Sequence, residues 1–305
     1  MNRQTIPVIN IENLFTAETL RSVDRACREW GAFMVVGHGI EAAEMVAIND
    51  AMKQFFGLNA EAKRQVSRSH KNPWGFYDKE LTKNIRDCKE IYDFGPNDDN
   101  GKQAQWPAEI PEFKSSVQTY YQTCERLAFN LLEAIGINLG VDTNFLSKNF
   151  RPNHSSFLRL NYYPLQYNSQ QGMGVHQHTD AGAITVLLQD QQSGLEVFHQ
   201  GCWHRVEPRD GALVINLGDI VQVWSNDRYQ APLHRVVASQ NAVRYSAPFF
   251  LNPDYRTDFM PLPTTVDHLN PALYRHINWG EFRKLRADGD YTDSGEEVQI
   301  CHYRI

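Results

Sequence analysis

From residue 154 onward the apolar stretches become short, closely spaced and separated by turn residues, and this pattern restricts the fold more than any other feature of the chain. Residues 156–163, 183–189, 194–198, 203–206, 212–217, 220–224, 233–238 and 243–251 are each rich in Val, Ile, Leu and aromatics and are bounded by Gly, Pro, Asn or Asp. Such segments read as strands. Packed this closely, they leave no room for the crossover helices of a parallel sheet, so they predict a β-sandwich or barrel.

The first 150 residues read mostly as helices. Residues 16–30 carry Leu20, Val23, Ala26, Cys27 and Trp30 at helical spacing, and 42–56 continues in the same style. A longer stripe over 113–135 (Val117, Tyr120, Cys124, Leu127, Leu131, Ile135) is closed by Gly136 and Gly140. Residues 6–11 suggest a short edge strand that tolerates Pro7, and 33–36 a short buried one. Residues 252–270 read as loop and 271–289 as a closing helix. The organisation expected is mainly β with flanking helices: a mostly helical region over 1–150 packed on a β-core over 151–305, as one integrated unit.

Composition excludes several classes of function. Of 305 residues, 42% are hydrophobic and 22% charged, which supplies a core and rules out wholesale disorder. A net charge of −6 lacks the basic footprint of a nucleic-acid binder. Five cysteines, at 27, 88, 124, 202 and 301, form no C-x-x-C pair and no disulfide-like cluster, so a reducing compartment is expected. No apolar run approaches the length of a membrane span, nor does an apolar leader open the chain. The expectation is a cytoplasmic protein with a small-molecule substrate, no nucleic-acid or membrane partner and no obligate protein partner.

The chemistry centres on His176-Gln177-His178-Thr179-Asp180. If this segment opens a strand, His178 and Asp180 share a side, and His234 in a later strand can join them. Two imidazoles and one carboxylate on one face leave three positions of an octahedral Fe(II) open for a bidentate ligand and O2. The competing readings are a chance H-x-D, since eleven histidines make a third partner easy to find, and a catalytic zinc with one water. His176 is a decoy in register. Ten residues beyond His234, Arg244 and Ser246 share a strand face, where a guanidinium and a hydroxyl suit a carboxylate. The alternative there is an Arg on a solvated sheet face.

Taken together, these residues resemble the iron(II)/2-oxoglutarate-dependent dioxygenases, in particular the isopenicillin N synthase-like branch. The resemblance runs nearly end to end: Ile6-Pro7-Val8-Ile9, Glu29-Trp30-Gly31-Ala32-Phe33, Val36-Gly37-His38-Gly39-Ile40, Phe55-Phe56 and Lys89-Glu90-Ile91-Tyr92-Asp93-Phe94-Gly95. Asn161-Tyr162-Tyr163-Pro164, His178-Thr179-Asp180, the stretch from Gly211 to Asp219, His234-Arg235-Val236 and Arg244-Tyr245-Ser246 then follow in order. Asn10 and Gly37 depart from the commoner Asp and Asn, away from the proposed chemistry.

The resemblance implies a double-stranded β-helix, or jelly roll, with Fe(II) on His178, Asp180 and His234. It implies 2-oxoglutarate as cosubstrate, with its distal carboxylate on Arg244 and Ser246 and with Asn161 and Tyr163 helping to hold it. It further implies O2, and ascorbate as a reductant. The cosubstrate would leave as succinate and CO2 while a C–H bond of a small metabolite is hydroxylated, desaturated or closed into a ring. Alternatives within the family are an ethylene-forming-type fragmentation of 2-oxoglutarate and a 2-oxoglutarate-independent oxidase. Outside it stand a zinc hydrolase and a binding module that kept the fold. For the substrate, Arg159, Phe250, Trp74, Tyr77 and Tyr92 are candidates. Core packing is the rival reading for the aromatics, and a structural ion pair for Arg159. The C-terminal stretch 271–303 is expected to cover the pocket mouth.

Overall fold

Two sheets face each other, and every candidate site residue derives its direction from them. The computed structural model describes residues 5–69, 71–97, 102–165, 173–239, 241–289 and 298–305. The first part of the chain runs β1 (Val8–Asn10), α1 (Ala17–Glu29), β2 (Ala32–Val36), α2 (Ala42–Phe56), α3 (Ala60–Gln65) and β3 (Gly75–Tyr77). A small hairpin of β4 (Leu81–Thr82) and β5 (Ile85–Arg86) comes next, then β6 (Glu90–Phe94) and the long α4 (Phe113–Asn138). The second part supplies β7 (Phe157–Tyr163), β8 (Met173–His178), β9 (Ile184–Gln189), β10 (Leu195–His199), β11 (Cys202–Arg205) and β12 (Leu213–Leu217). It closes with α5 (Asp219–Trp224), β13 (His234–Val237), β14 (Arg244–Leu251), β15 (Asp258–Phe259), β16 (Ile277–Asn278) and α6 (Trp279–Gly289).

The larger sheet has the order β1-β2-β12-β9-β14-β7-β6-β3 and the smaller β11-β10-β13-β8. Apart from the parallel β1–β2 pair, the strand pairs in both are antiparallel. This is the jelly roll that the resemblance implies. Four strands of the larger sheet (β1, β2, β3 and β6) come from the first 150 residues. The outer face of that sheet is covered by helices: α4 buries Val117, Tyr120, Cys124, Leu127 and Leu131 in one cluster with Phe55 of α2 and Phe249 of β14. Each fully buried Leu or Phe there contributes about 1.5–3 kcal/mol. The inner face looks toward the smaller sheet, and the site lies between them.

Three expectations need correction. Residues 220–224 form helix α5, not a strand: Ile220, Val221, Val223 and Trp224 are all buried, and a short run apolar on every side carries no period from which to choose. The closing helix is shorter than 271–289. It starts at Trp279, after β16 has paired with β15. Gly136 does not end the long helix, which continues to Asn138. A Cβ at Gly136 would meet Val141 and Leu146 at 3.3–3.4 Å, and the stop comes at Gly140 with φ +81°.

Candidate active site

Strands β7 and β14 lie side by side, with Ser246 opposite Asn161 and Arg244 opposite Tyr163. Their alternating residues therefore face the same way, and Phe157, Arg159, Asn161 and Tyr163 join Arg244, Ser246, Pro248 and Phe250 in lining the space between the sheets. On the smaller sheet, His178 at the end of β8 pairs with His234 at the start of β13. The ladder then slips, so that Val236 opposes Val175 instead of residue 176. This bulge brings Val175 and His178, three apart, onto the same inner wall.

Asp180 lies two residues beyond β8, on a loop, so strand parity does not aim it. The start of α5 does. Asp219 N–H donates to the Asp180 carbonyl at 2.8 Å and Ile220 N–H to that of Gly182 at 3.1 Å. The approach is close: a Cβ on Gly218 would sit 2.1 Å from the Gly182 carbonyl oxygen.

The result is a three-sided cluster. Asp180 Oδ1 lies 3.7 Å from His178 Nε2 and 3.6 Å from His234 Nε2, and all three ligand atoms fall within 4.8 Å of one another. Among the described residues no other three His, Cys, Asp or Glu side chains come so close. Each ring is fixed from behind: His178 Nδ1 donates to the His176 carbonyl at 2.8 Å and His234 Nδ1 to that of Pro232 at 3.0 Å. Both Nε2 atoms are thereby left as the lone-pair donors. Burial and the neighbouring His234 push His178 well below the ordinary histidine range, toward the neutral form a metal needs. Thr185 of β9 donates to Asp180 Oδ2 at 2.6 Å. The decoy is resolved as well. His176 turns away, with its backbone N–H and Nδ1 on Asp87 Oδ1 at 3.1 and 3.0 Å.

At the inner end of the cavity Arg244 is 2% exposed, and its guanidinium carbon lies 5.0 Å from the centre of the Tyr163 ring. Its Nε donates to the Gln192 carbonyl and its Nη2 to Gln189 Oε1, while buried Nη1 has no hydrogen-bond partner among the described residues. Asn161 Nδ2 donates to Ser246 Oγ at 3.2 Å, and its buried Oδ1 is likewise unpartnered. A buried cation beside polar atoms without hydrogen-bond partners suits a polar, anionic guest. The residues present therefore fit both groups: two neutral imidazoles and a carboxylate for Fe(II), and a buried guanidinium for the far end of a dicarboxylate.

The substrate candidates fare unevenly. Phe250 faces the triad and stacks on Phe157 at 4.8 Å. Trp74 lies farther out, on a cavity of about 430 Å³. Tyr77 lies beneath the Arg68 guanidinium, 3.9 Å from its ring centre, outside the lining of either space. Tyr92 is a core residue. It points to the helical side, packs against Phe55 and Phe113, and donates its hydroxyl to the Gln105 carbonyl. The next residue, Asp93, takes the inner face. Arg159 lines the cavity but gives Nε and Nη2 to Asp93 at 2.7 and 2.9 Å and Nη1 to Glu80 at 2.8 Å.

Sequence reasoning missed Lys89, Thr185 and Asn216. Thr185 and Asn216 are level with each other on β9 and β12 and line the inner cavity, Asn216 with its Oδ1 unpartnered. A polar residue inside an otherwise apolar strand was the available signal. Lys89 is buried against Glu80 at 2.7 Å and Asp87 at 3.2 Å, a partnership invisible from spacing.

The comparisons agree with this geometry. Residues 154–253 match the 2OG-Fe(II) oxygenase superfamily, and residues 6–113 match the N-terminal region described as non-haem dioxygenase in morphine synthesis. Flavanone 3-dioxygenase 2 of Oryza sativa subsp. japonica is 33% identical over 92% of this chain and 82% of its own length. Jasmonate-induced oxygenase 2 of Arabidopsis thaliana is 30% identical over 97% and 83%. Among solved structures, JOX2 in complex with 2OG, Fe and JA superposes with a TM-score of 0.86 at 27% identity, covering 98% of this chain and 88% of that one. A full-length Neurospora crassa protein in complex with alpha-KG and thymine gives 0.85 at 25%, covering 95% and 98%. With fold, triad and relatives in agreement, the chain belongs to the 2OG-Fe(II) oxygenase superfamily and is an Fe(II)- and 2-oxoglutarate-dependent dioxygenase.

Proposed function

We propose that His178, Asp180 and His234 hold the iron, that Arg244 and Ser246 receive the distal carboxylate of 2-oxoglutarate with Asn161 beside it, and that the enzyme oxidises a C–H bond of a small organic metabolite. The observation that carries this reading is the metal-type triad and the buried Arg244, with its unpartnered Nη1, in one cavity. When bound, iron with 2-oxoglutarate and O2 supplies the oxidising power, and the cosubstrate leaves as succinate and CO2.

The chain's own residues orient and exclude. Thr185 occupies one oxygen of Asp180, so that a metal held here would be met by the other. Val175, Leu187, Leu195 and Val236 make the wall around the cosubstrate apolar, which strengthens the grip of Arg244. Phe250 and Phe157 give the substrate a flat surface beside the triad. The relatives bound to JA and thymine support a small organic substrate. A cytoplasmic location and ascorbate as reductant belong to the same proposal. The location is supported by all five cysteines being free thiols.

The test is an anaerobic titration of the Fe(II)-loaded protein with 2-oxoglutarate, reading the weak visible charge-transfer band of the chelate. The band should form in the native protein and be lost in Asp180→Ala. Iron demonstrably bound with no band at saturating 2-oxoglutarate would overturn the cosubstrate assignment.

A further inference from the structure

Strand β8 carries His178 as the last strand of the smaller sheet, paired among the described residues on one side only, with β13. An edge strand presents unpaired backbone groups and its register is easily lost. Here the register already slips: His178 opposes His234 and Val175 opposes Val236, so residues 176 and 177 share the single partner Arg235. The ladder therefore gives little guidance to the segment just before the metal ligand.

The guidance comes from outside the sheet. The chain leaving the β4–β5 hairpin runs along the open edge of β8. Cys88 N–H donates to the Met173 carbonyl at 3.1 Å, and Asp87 Oδ1 accepts from the backbone N–H of His176 at 3.1 Å and from its Nδ1 at 3.0 Å. The His176 carbonyl in turn accepts the Nδ1–H of His178 at 2.8 Å. His176 thus has its N–H fixed by Asp87 and its carbonyl set against the ring that it orients.

Asp87 is itself held. Its side chain is fully buried, its Oδ2 accepts from Thr82 Oγ1 at 2.7 Å and from Lys89 Nζ at 3.2 Å, and its backbone N–H donates to the Glu80 carbonyl. A carboxylate offers about four acceptor positions, and two donors on each oxygen fill them. Lys89 continues the line to Glu80 at 2.7 Å. A buried polar group bonded so completely is fixed in one geometry.

Resting on the oxygenase reading above, we propose that Asp87 is a positioning residue for the iron. Through the His176 backbone it keeps the acceptor of the His178 ring in place, so that the imidazole presents Nε2 to the metal in one tautomer and one direction. Asn at this position has the same shape but replaces one acceptor oxygen by an amide N–H2. Whichever way it turns, that group faces donors: the two N–H groups of His176, or Thr82 and Lys89.

The first readout of the experiment needs no metal. With histidine selectively labelled, proton–nitrogen correlation spectra of the metal-free protein at about pH 8, above the ordinary histidine range, show which ring nitrogen carries the proton, and His178→Ala identifies the His178 signals. The native protein should show His178 in the Nδ1–H form alone, and Asp87→Asn a mixture with the Nε2–H form. The second readout is Fe(II) affinity by competition with a chelator, which should fall about tenfold or more in Asp87→Asn. His176→Ala keeps the backbone N–H and carbonyl, and its affinity should stay within about twofold of native. Thr82→Val leaves the carboxylate and takes one donor from it. It should lose about fivefold with partial mixing of the tautomers, and it carries the test if Asp87→Asn does not fold. A mixed His178 tautomer in the native protein overturns the proposal, as does native-like affinity in Asp87→Asn, or in Thr82→Val where that variant carries the test. So does a lower affinity with the tautomer unchanged, because the effect is then one of general stability. A His176→Ala protein that loses iron as badly as Asp87→Asn also overturns it, because the grip then runs through the His176 ring. Since the tautomer is read without metal, a failed charge-transfer titration leaves this decision intact.

Discussion

Thr185 shows how much of the metal site depends on residues that never touch the metal. Its hydroxyl donates to Asp180 Oδ2 at 2.6 Å, so Oδ1 alone faces the two histidines. Thr185→Val keeps the shape and removes the donor. Fe(II) affinity, measured by competition with a chelator, should fall about 10–100-fold, the usual cost of losing a hydrogen bond behind a ligand. Arg244→Ala tests the other end of the cavity. The titration midpoint for 2-oxoglutarate should rise by about 30-fold or more, since losing one partner of a buried charge pair costs about 2–5 kcal/mol, while Fe(II) remains bound. An unchanged midpoint would remove the distal carboxylate from Arg244.

At the scale of elements, much was legible in the sequence. The alternation of β7 and β14 places Asn161, Tyr163, Arg244 and Ser246 on one face, as their spacing implies. The convergence of His178 with Asp180 was expected for the wrong reason: the strand ends at His178, and backbone donors from α5 place the carboxylate. Neither that grip nor the bulge in β8 has a periodic signature, because both depend on which strand lies opposite. Parity was available for Tyr92, yet nothing in five residues says which face of β6 meets the helices.

The charge cluster on β4–β7 was hidden for the same reason, and it has a pH signature. Burial alone would raise Glu80, but the charges of Arg159, Lys89 and Arg68 hold it well below the usual carboxylate range. Between its ordinary value and that depressed one, the unfolded chain binds the extra proton, so stability increases with pH. The contribution is complete above the glutamate range and is lost progressively as pH falls below it. Glu80→Gln strands the buried cations and should destabilise the fold by about 3–5 kcal/mol at neutral pH. Chemical denaturation of both proteins should show the gap narrowing from about pH 5 downward. A gap constant down to pH 3 would mean that Glu80 is not held ionised.

For the whole molecule, the triad lies between the two sheets, so a metal bound there would tie the smaller sheet to the Asp180 loop, which Thr185 of the larger sheet holds from behind. His178 and His234 belong to the smaller sheet, while Thr185, Asn161, Arg244 and Ser246 belong to the larger. Ligands that bind only the folded state stabilise it by about 2.7 kcal/mol at one hundred times Kd. Removing iron with a chelator, or omitting 2-oxoglutarate, should therefore lower Tm by several degrees in a thermal melt, and the Asp180→Ala protein should show no such response. A native protein whose Tm ignores the metal would place the ion outside this seam.

The slipped register between β8 and β13 has a consequence for descent. His178 faces inward beside Val175 because the ladder carries one residue more than an even alternation would allow. A lineage can exchange side chains along this strand, valine for isoleucine or leucine, and keep its iron. Deleting a single residue between Val175 and His178 would straighten the ladder and keep the imidazole inward, because residues two apart on a regular strand already share a face. Over evolutionary time this strand should vary freely in spelling, and its one surplus residue can be shed without turning the histidine away from the site.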